Sequence, residues 1–423
     1  MVTINSSARF AIFLLRKLTS KITRIIRKPF FGLLGLAGSR KEFEFAKVKR
    51  ILVIRLDEVG DVVMTSPFLR ELRNNCPDTW ITLLVKPAVF NQAENCPYVN
   101  ELLAFDQKLS RHCGSLRRHW RALRLAYCHL WSRSFDLAVV PRWDVDYYHA
   151  SVIAYLSGAS WRVGYSENVK AHKRQLNSSY DKLFSHVCTK NILQHEVQRN
   201  LDIIRFLGGS VREDRTELWV TPEDEAIAES ILRSHNVFPG DSLIAFGPGA
   251  GDPKRMWPIS HFIELGGWLV DMYRVRIVVV GGPGEEALGR ELHRKLGDAV
   301  ITVVGQQTLR QTSALLKHCC IYVGNDSGPM HMSAAAGLPV VEISCHPKQG
   351  DPSHANSPVR FGPWKVPYVV LQPEAADHSC SEGCVASDAH CIRGITAEQV
   401  KEAVLSLTSQ RSEFPLLEVA AAS

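Results

Sequence analysis

The sequence predicts an α/β protein with two domains, each built on a parallel sheet that is covered by helices. Short apolar runs of strand length alternate with helical stretches in both halves of the chain. In both halves a glycine-containing turn directly follows such a run, as in βα units. A length of 423 residues is sufficient for two domains and an extension.

The composition indicates a folded protein whose positive charge is concentrated at one end. Hydrophobic residues make up 45% of the chain and charged residues 22%. The first 41 residues contain nine Lys or Arg and no Asp or Glu, which gives them a formal charge of +9. Since the whole chain has a formal charge of +7, the remaining residues together carry about −2. A near-neutral body argues against a nucleic-acid-binding protein. The eleven scattered cysteines and the lack of a recognisable signal peptide predict a cytoplasmic protein.

Residues 1–46 are predicted to form a basic extension and linker. Over residues 8–28, apolar side chains gather on one side of a helix and Lys or Arg side chains on the other. This pattern predicts a helix that lies on an anionic membrane surface, which would make the protein peripheral to the inner face of the cytoplasmic membrane. The alternative is a helix that packs on the body or on a second subunit.

The first predicted domain covers residues 47–215. Ile51–Ile54 is a continuous apolar run, typical of a strand buried on both faces of a parallel sheet. A turn over Asp57–Asp61 and a helix to about Asn75 follow it. Further predicted elements are the strands Trp80–Val85 and Leu137–Val140 and the helices Tyr147–Leu156 and Val197–Leu207.

The second predicted domain covers residues 216–395, with residues 208–242 as the expected hinge region. Its predicted strands are Leu243–Phe246, Arg276–Val280, Cys320–Val323 and Pro339–Ile343. The first three run into glycine-rich turns, where ligands bind in open α/β sheets. Residues 396–423 form a final helix, over 396–408, and a tail; in the architecture proposed below, such a helix crosses back to the first domain.

Residues Asp326 to His331 form the most informative turn. Pro329 suits the first turn of a helix, and Gly328 removes side-chain bulk where the chain enters it. The bare N–H groups and the helix dipole would form an anion site suited to a pyrophosphate. An ordinary capped βα turn is the alternative interpretation.

Three further positions are candidates for the same site. Lys254 and Arg255 follow the glycine-rich loop Gly247–Gly251 and could meet phosphate oxygens. Glu285 could accept hydrogen bonds from ribose hydroxyls. Asp61, in the first βα turn, could take a proton from an attacking hydroxyl. The alternatives are a solvated basic loop, a surface carboxylate and a helix N-cap, respectively.

Together these motifs resemble the ADP-heptose:lipopolysaccharide heptosyltransferases, glycosyltransferase family 9. The resemblance depends on three stretches: residues 51–67, which read ILVIR and then GDVVMTSP; residues 248–258, which contain PGA and KRMWP; and residues 325–337, which contain NDSGPMH and AAAG. It covers about residues 50–400. The chain departs from the family in its N-terminal extension and in Met256, since many members run Arg-Trp directly.

The resemblance implies a GT-B fold, in which two Rossmann-like domains face a central cleft, and an inverting, metal-independent transferase. It implies that Asp61 is the catalytic base, that Lys254, with Arg255 beside it, meets the donor phosphates and that Glu285 contacts the ribose. It implies that the diphosphate is held by Asp326, Ser327, Gly328, Pro329, Met330 and His331. The expected donor is an ADP-sugar, used as a substrate with no further cofactor, and the expected acceptor is a lipid-linked core oligosaccharide.

Other basic residues are weaker candidates. Arg118 and Arg121 belong to an arginine-rich stretch with interleaved aromatics, and Lys173 belongs to a second basic stretch. Both stretches could meet an acidic acceptor or simply form solvated helix faces. Cys380, Cys384 and Cys391 form the densest cysteine group, but their spacing does not match a standard zinc site, so buried thiols are expected.

The sequence is also compatible with two other functions. The first is a nucleotide-sugar epimerase of the same fold, and the second is a membrane-associated protein that binds the donor without transferring it. Asp61 together with Lys254 favours catalysis, because a scaffold has no need of both.

Overall fold

The computed structural model describes residues 43–106, 115–177, 179–376 and 388–409. Over these residues the chain forms two six-stranded sheets in which the strand pairings are parallel. The expected α/β class with two Rossmann-like halves is therefore confirmed. The predicted amphipathic helix over residues 8–28 lies outside the described residues and stays a prediction.

The first lobe is built on β1 Arg50–Arg55, β2 Trp80–Val85, β3 Glu101–Ala104, β4 Leu137–Val140, β5 Trp161–Tyr165 and β6 His186–Cys188. Its helices are α1 Val59–Asn75, α2 Phe90–Ala93, α3 Ser115–Leu125, α4 Ala150–Leu156, α5 Ala171–Asn177 and α6 Glu196–Phe206. The strand order β3-β2-β1-β4-β5-β6 reverses direction between β1 and β4. Such a reversal opens a crevice at the carboxyl ends of the strands.

The second lobe repeats this arrangement. Its strands are β7 Leu243–Gly247, β8 Arg276–Val279, β9 Val300–Thr302, β10 Ile321–Asn325, β11 Val340–Ile343 and β12 Tyr368–Leu371. The remaining helices are α7 Pro222–Ser234, α8 Ile259–Tyr273, α9 Glu286–Leu296, α10 Leu309–Lys317, α11 Gly328–Ala335, α12 Pro358–Phe361 and α13 Ala397–Thr408. The order β12-β11-β10-β7-β8-β9 reverses between β10 and β7.

The strands are continuously apolar because both faces of each sheet are covered. In β1, Ile51 and Val53 join the core on one face, whereas Leu52 and Ile54 join the core on the other. Successive side chains of a strand point to opposite faces, so a strand buried on both sides shows no alternation. The predicted strands Trp80–Val85 and Leu137–Val140 are found with the predicted bounds.

The expected hinge region contains a helix that the sequence prediction missed. Helix α7 occupies residues 222–234 and begins with a capping box, in which Thr221 and Asp224 accept hydrogen bonds from each other's backbone N–H groups. Pro222 stands at its first position. These start signals were present in the sequence, and the expectation of a hinge region at residues 208–242 stays a prediction.

The last helix of the described residues, α13, packs on the second lobe, whereas it was expected from the sequence to cross to the first. Val400, Val404 and Leu407 of α13 join the core of the second lobe together with Phe262 and Leu265 of α8. Its apolar face therefore covers the second sheet.

Instead, residues 358–364, the crossing segment, contact the first lobe. Arg360 lies 2.6 Å from the Glu196 carboxylate and 2.9 Å from the Asp144 carboxylate, and only 1% of its side chain is exposed. His195 donates from Nε2 to the Gly362 carbonyl at 2.9 Å, and its ring stacks on Trp364. Burial lowers the pKa of His195 to about 4, so this ring is neutral at pH 7.

We expect Arg360→Met to lower the free energy of unfolding by about 3–5 kcal/mol, because it removes a buried guanidinium from Asp144 and leaves Glu196 with Arg199 alone. Burial by itself would raise the pKa of Glu196, but Arg360 and Arg199 outweigh it and lower the pKa. The ion pair therefore stabilises the fold at pH values above the ordinary pKa of a glutamate. This contribution is lost as the pH falls below that value and through the lowered pKa of Glu196 in the folded protein.

Urea unfolding at pH 7 and pH 4 measures this effect. The loss caused by Arg360→Met should be smaller at pH 4 than at pH 7. Arg294→Met is the matched control, since Arg294 forms an exposed pair with Glu291 and should change stability little. An unchanged unfolding midpoint for Arg360→Met at pH 7 would show that the pair does not stabilise the fold.

Candidate functional site

A cleft of about 970 Å³ lies between the two lobes. Its walls come from the turns that follow β1 and β4 in the first lobe and from the loops that follow β7, β8 and β10 in the second. The predicted site residues that line it are Asp61, Arg255, Glu285, Asp326, Ser327, Gly328, Pro329 and His331. Among the described residues, the lining does not include Lys254 or Met330.

Asp61 stands in the first turn of α1 with 24% of its side chain exposed. Its Oδ1 lies 3.0 Å from Arg55 Nη2, and its Oδ2 accepts a hydrogen bond from the Glu58 N–H at 3.2 Å. Glu58, not Asp61, is therefore the N-cap residue, and Asp61 takes part in the capping box as its N3 residue. The carboxylate is held at the helix start and still borders the cleft.

Arg55 orients Asp61 from the end of β1. It is almost fully buried, and its Nη1 donates to the Pro141 carbonyl at 2.6 Å while its Nε lies 3.1 Å from Asp57 Oδ2. Asp57 in turn pairs with Arg142, another residue of the cleft wall. Because its partners come from the turn after β1, from α1 and from the residue after β4, the Arg55 guanidinium has little freedom to move.

Asn325 joins the two loops of the second lobe that face Asp61. Its amide donates from Nδ2 to the Pro248 carbonyl at 2.7 Å and accepts at Oδ1 from the Trp257 N–H at 3.0 Å. The residue is fully buried at the end of β10. The glycine-rich loop and the turn after β10 are therefore held together as one unit.

Helix α11 begins at that turn with its N–H groups toward the cleft. Ser327 is the N-cap residue, and its own side chain makes no capping hydrogen bond to the helix. The Met330 side chain is fully buried in the core of the second lobe, so it does not reach the cleft. Only its backbone N–H is available at the helix start, where the dipole favours an anion.

The starts of α1 and α11 meet across the cleft. A Cβ added at Gly60 would overlap the His331 ring, and one added at Gly328 would lie 2.9 Å from Val59 Cβ. Both glycines thus permit close approach of the two lobes. Burial lowers the pKa of His331, and the nearby Asp326 and Asp61 carboxylates only partly oppose it, so both carboxylates act on one ring.

Of the two cations predicted for the donor phosphates, Arg255 borders the cleft. Its Nη2 lies 2.6 Å from Asp326 Oδ2 and also donates to the Asp326 carbonyl. The Asp326 carboxylate, as the largest influence, raises the pKa of Arg255. Lys254 is half-buried in the same short turn, where its backbone N–H is bonded to Asp252.

Glu285 closes the loop after β8. Its Oε2 accepts a hydrogen bond from the Gly282 N–H at 2.8 Å, and a Cβ at Gly249 would overlap its carboxylate. The side chain therefore lies against the backbone of the glycine-rich loop. This position at a strand end, inside the cleft, suits a contact with ligand hydroxyls.

The three weaker acceptor candidates lie elsewhere. Arg118 donates to the Tyr147 carbonyl at 3.3 Å and Arg121 to the Asp106 carbonyl, both from α3 and outside the cleft lining. Lys173 is 2% exposed, and its ammonium donates to the Trp143 and Tyr165 carbonyls. Burial lowers its pKa to about 8. The assignment of Lys173 to the acceptor is therefore wrong, because backbone carbonyls already use its hydrogen atoms.

Of the three grouped cysteines, Cys380 and Cys384 lie outside the described residues. Cys391 begins a short turn ahead of α13. No group of three or more metal-binding side chains occurs in the described ranges. Within the same ranges, no helix has both the length and the apolar character to cross a bilayer.

Several residues of the cleft were not predicted from the sequence. Arg55 and Asn325 stood inside the motifs, next to residues with proposed roles. Asn356, Arg360 and Phe361 reach the cleft from the crossing segment and the loop before it. No local pattern marked these three, because only the fold brings them to the first lobe.

The family model for glycosyltransferase family 9 (heptosyltransferase) matches residues 129–387. Lipopolysaccharide heptosyltransferase 3 of Escherichia coli is 23% identical over 292 residues, which are 67% of this chain and 80% of that protein. Among solved structures, the glycosyl transferase family 9 protein of Veillonella parvula DSM 2008 has a TM-score of 0.69 at 21% identity, covering 88% of this chain and 100% of that one. The E. coli heptosyltransferase WaaC with ADP has a TM-score of 0.60 at 18% identity, covering 84% and 99%. At these identities the two structures are similar to this chain in fold.

Proposed function

This chain belongs to glycosyltransferase family 9, the heptosyltransferases, and we propose that it moves a heptose or a related sugar from an ADP-sugar to a lipid-linked core oligosaccharide of lipopolysaccharide. One observation carries the proposal. A carboxylate of the first lobe, Asp61, borders the same cleft as Arg255 and the start of α11 in the second lobe. A proton acceptor and an anion site thus face each other, as a displacement at a sugar carbon requires.

In the proposed reaction the acceptor hydroxyl attacks the anomeric carbon from the face opposite the diphosphate. The new C–O bond forms as the bond to the diphosphate breaks, so the configuration inverts. Asp61 takes the hydroxyl proton, and the diphosphate leaves with the bonding electron pair. Arg255 and the α11 N–H groups stabilise the negative charge that develops on it.

The donor is proposed to occupy the second-lobe side of the cleft. Ser327, Gly328 and Pro329 lie at the α11 start, where a diphosphate would meet the positive end of the helix dipole. Glu285 would accept hydrogen bonds from the ribose hydroxyls. Lys254 stays a candidate for the outer phosphate oxygens. That a relative of the same fold was solved with ADP supports the choice of nucleotide.

The acceptor is proposed to approach from the first lobe. Arg118 reaches Tyr147, whose ring lies 5.9 Å from the guanidinium of Arg142 in the cleft wall. Basic and aromatic groups thus extend from α3 to the cleft, which suits an acidic, lipid-linked saccharide. The 8–28 segment would hold the protein at an anionic membrane surface. Binding of the full chain to phosphatidylglycerol vesicles, compared with a chain lacking residues 1–42, tests that part.

The function is tested by incubating the protein with a panel of ADP- and UDP-sugars, with and without a heptose-deficient lipopolysaccharide core. We expect release of ADP from an ADP-sugar that depends on the acceptor. Conversion of the donor to its epimer without an acceptor would instead identify an epimerase. Donor binding with neither reaction would identify a non-catalytic protein.

A further inference from the structure

Beneath the proposed donor loops, the second sheet ends in a row of two glycines and one glutamate. Gly247, Gly324 and Glu342 are register partners on β7, β10 and β11. Partners on adjacent parallel strands point to the same face, so the two glycines leave space beside Glu342. Tyr322 fills part of it, because a Cβ at Gly247 would overlap the Tyr322 hydroxyl. Two weak acids, a phenol and a carboxyl group, therefore form the floor of this site.

Glu342 is buried there without a hydrogen-bond partner for one of its oxygens. The residue is 1% exposed, and no described residue bonds to its Oε2. The mechanism above makes no use of it. Leaving a buried polar atom unpaired is unfavourable, and leaving an ionised one unpaired is much more so.

The groups that face Glu342 come from all the neighbouring elements. Asp326 and Tyr322 come from β10 and its turn, and Arg255 comes from the loop after β7. The β12 register partner is the apolar Val370, and the crossing segment presents the backbone at Gly362, where an added Cβ would lie 3.7 Å from Glu342 Oε2. Arg255, the cation that acts on Glu342 in the described part of the chain, is already 2.6 Å from the Asp326 carboxylate.

Two carboxyl groups thus share one guanidinium. Burial, followed by the charge of Asp326, raises the pKa of Glu342 well above its ordinary value, and Arg255 only partly opposes this. Burial and the neighbouring carboxylate thus both favour the neutral form of the Glu342 carboxyl group. Burial likewise raises the pKa of Tyr322, so the floor carries no charge.

We propose that Glu342 works as an uncharged carboxylic acid that positions the Asp326–Arg255 pair for a nucleoside diphosphate, and that its ionisation weakens binding of that ligand. This inference rests on the proposed donor site. A second negative charge beneath the site would draw Arg255 away from the ligand and repel the ligand's phosphates. Glu342 is thus a positioning residue that acts through Arg255.

The test measures the Kd of ADP by titration calorimetry from pH 7 to pH 9.5 with the full chain, over which range the ADP phosphates stay ionised. For the wild type, affinity should fall about tenfold per pH unit above the midpoint of the Glu342 ionisation. In that limb, binding should take up one proton, which is measured by repeating titrations in buffers of different ionisation enthalpy. Glu342→Gln should keep a constant Kd over the range and bind ADP more tightly than the wild type at pH 9.5.

Glu342→Met, which also cannot ionise, should likewise show no pH dependence. Glu264→Gln, on an exposed face of the second lobe, should keep the wild-type pH dependence. A wild-type Kd that is constant across the range without proton uptake overturns the inference about Glu342 even if no variant folds, and leaves the donor site standing. If the ADP affinity of Glu342→Gln falls with rising pH as that of the wild type does, the inference about Glu342 is overturned as well. Absence of ADP binding at every pH overturns both the inference and the proposed donor site.

Discussion

Asp61→Asn should lower kcat for sugar transfer by about 10³-fold, within the range that a general base contributes. The amide keeps the shape of the side chain and can still accept the hydrogen bond from Glu58, but it cannot take the proton of the acceptor hydroxyl. The donor contacts belong to the other lobe, so the Kd of ADP should change by less than about threefold. Steady-state transfer at saturating donor and calorimetry with ADP measure the two effects separately.

The control for this experiment is Asp78→Asn, which makes the same chemical change at an exposed turn after α1. It should leave kcat unchanged. Wild-type turnover in Asp61→Asn would remove Asp61 as the base. Equal losses of turnover and of ADP affinity would point to a general disturbance of the cleft.

Arg255→Met should lower kcat/KM by about 10²–10³-fold, the effect of removing one group that stabilises charge in a transition state. The guanidinium borders the cleft and pairs with Asp326, so its removal also leaves that carboxylate unpaired near the diphosphate. Both donor affinity and turnover should therefore fall. Kinetics at varied donor concentration, together with the Kd of ADP, measure the two contributions.

Lys254→Met is the matched comparison, since it removes the neighbouring cation from the same turn. The resemblance assigned the phosphate contact to Lys254, but Arg255 is the one of the two that lines the cleft. We therefore expect Lys254→Met to lower kcat/KM by less than about tenfold. A larger loss for Lys254→Met than for Arg255→Met would return the main phosphate contact to Lys254.

Much of the fold could be predicted because its signals are local. An apolar run of four or five residues followed by a glycine-containing turn identified β1, β7, β8 and β10, and a similar run identified β11. The family resemblance, which the match over residues 129–387 confirms, followed from the same turns. Short strands such as β3 and β6 escaped prediction because three or four residues carry too little periodicity. Helix α7 was missed although its capping box was present.

For the candidate site too, some residues could be predicted from the sequence and others could not. Asp61, Glu285 and the turn from Asp326 to His331 were selected for their chemistry at strand ends, and the fold brings them into one cleft. Lys173 had the same local appearance as a ligand-binding cation, yet the fold surrounds it with backbone carbonyls. Residue type and spacing do not distinguish a buried lysine from an exposed one.

The sequence by itself determined the two parallel sheets, the turns that end their strands and the chemical groups on those turns. These features depend on neighbours a few residues apart, whose pattern is written directly in the chain. Only the tertiary structure decided that Gly60 touches His331, that Arg360 pairs with Glu196 and that Glu342 lies beneath Asp326. Gly60 and His331, like Arg360 and Glu196, are more than 150 positions apart, and Glu342 meets Asp326 through strand register, so no local pattern records these contacts. They arise because burial of both sheet faces brings distant charges and backbones together.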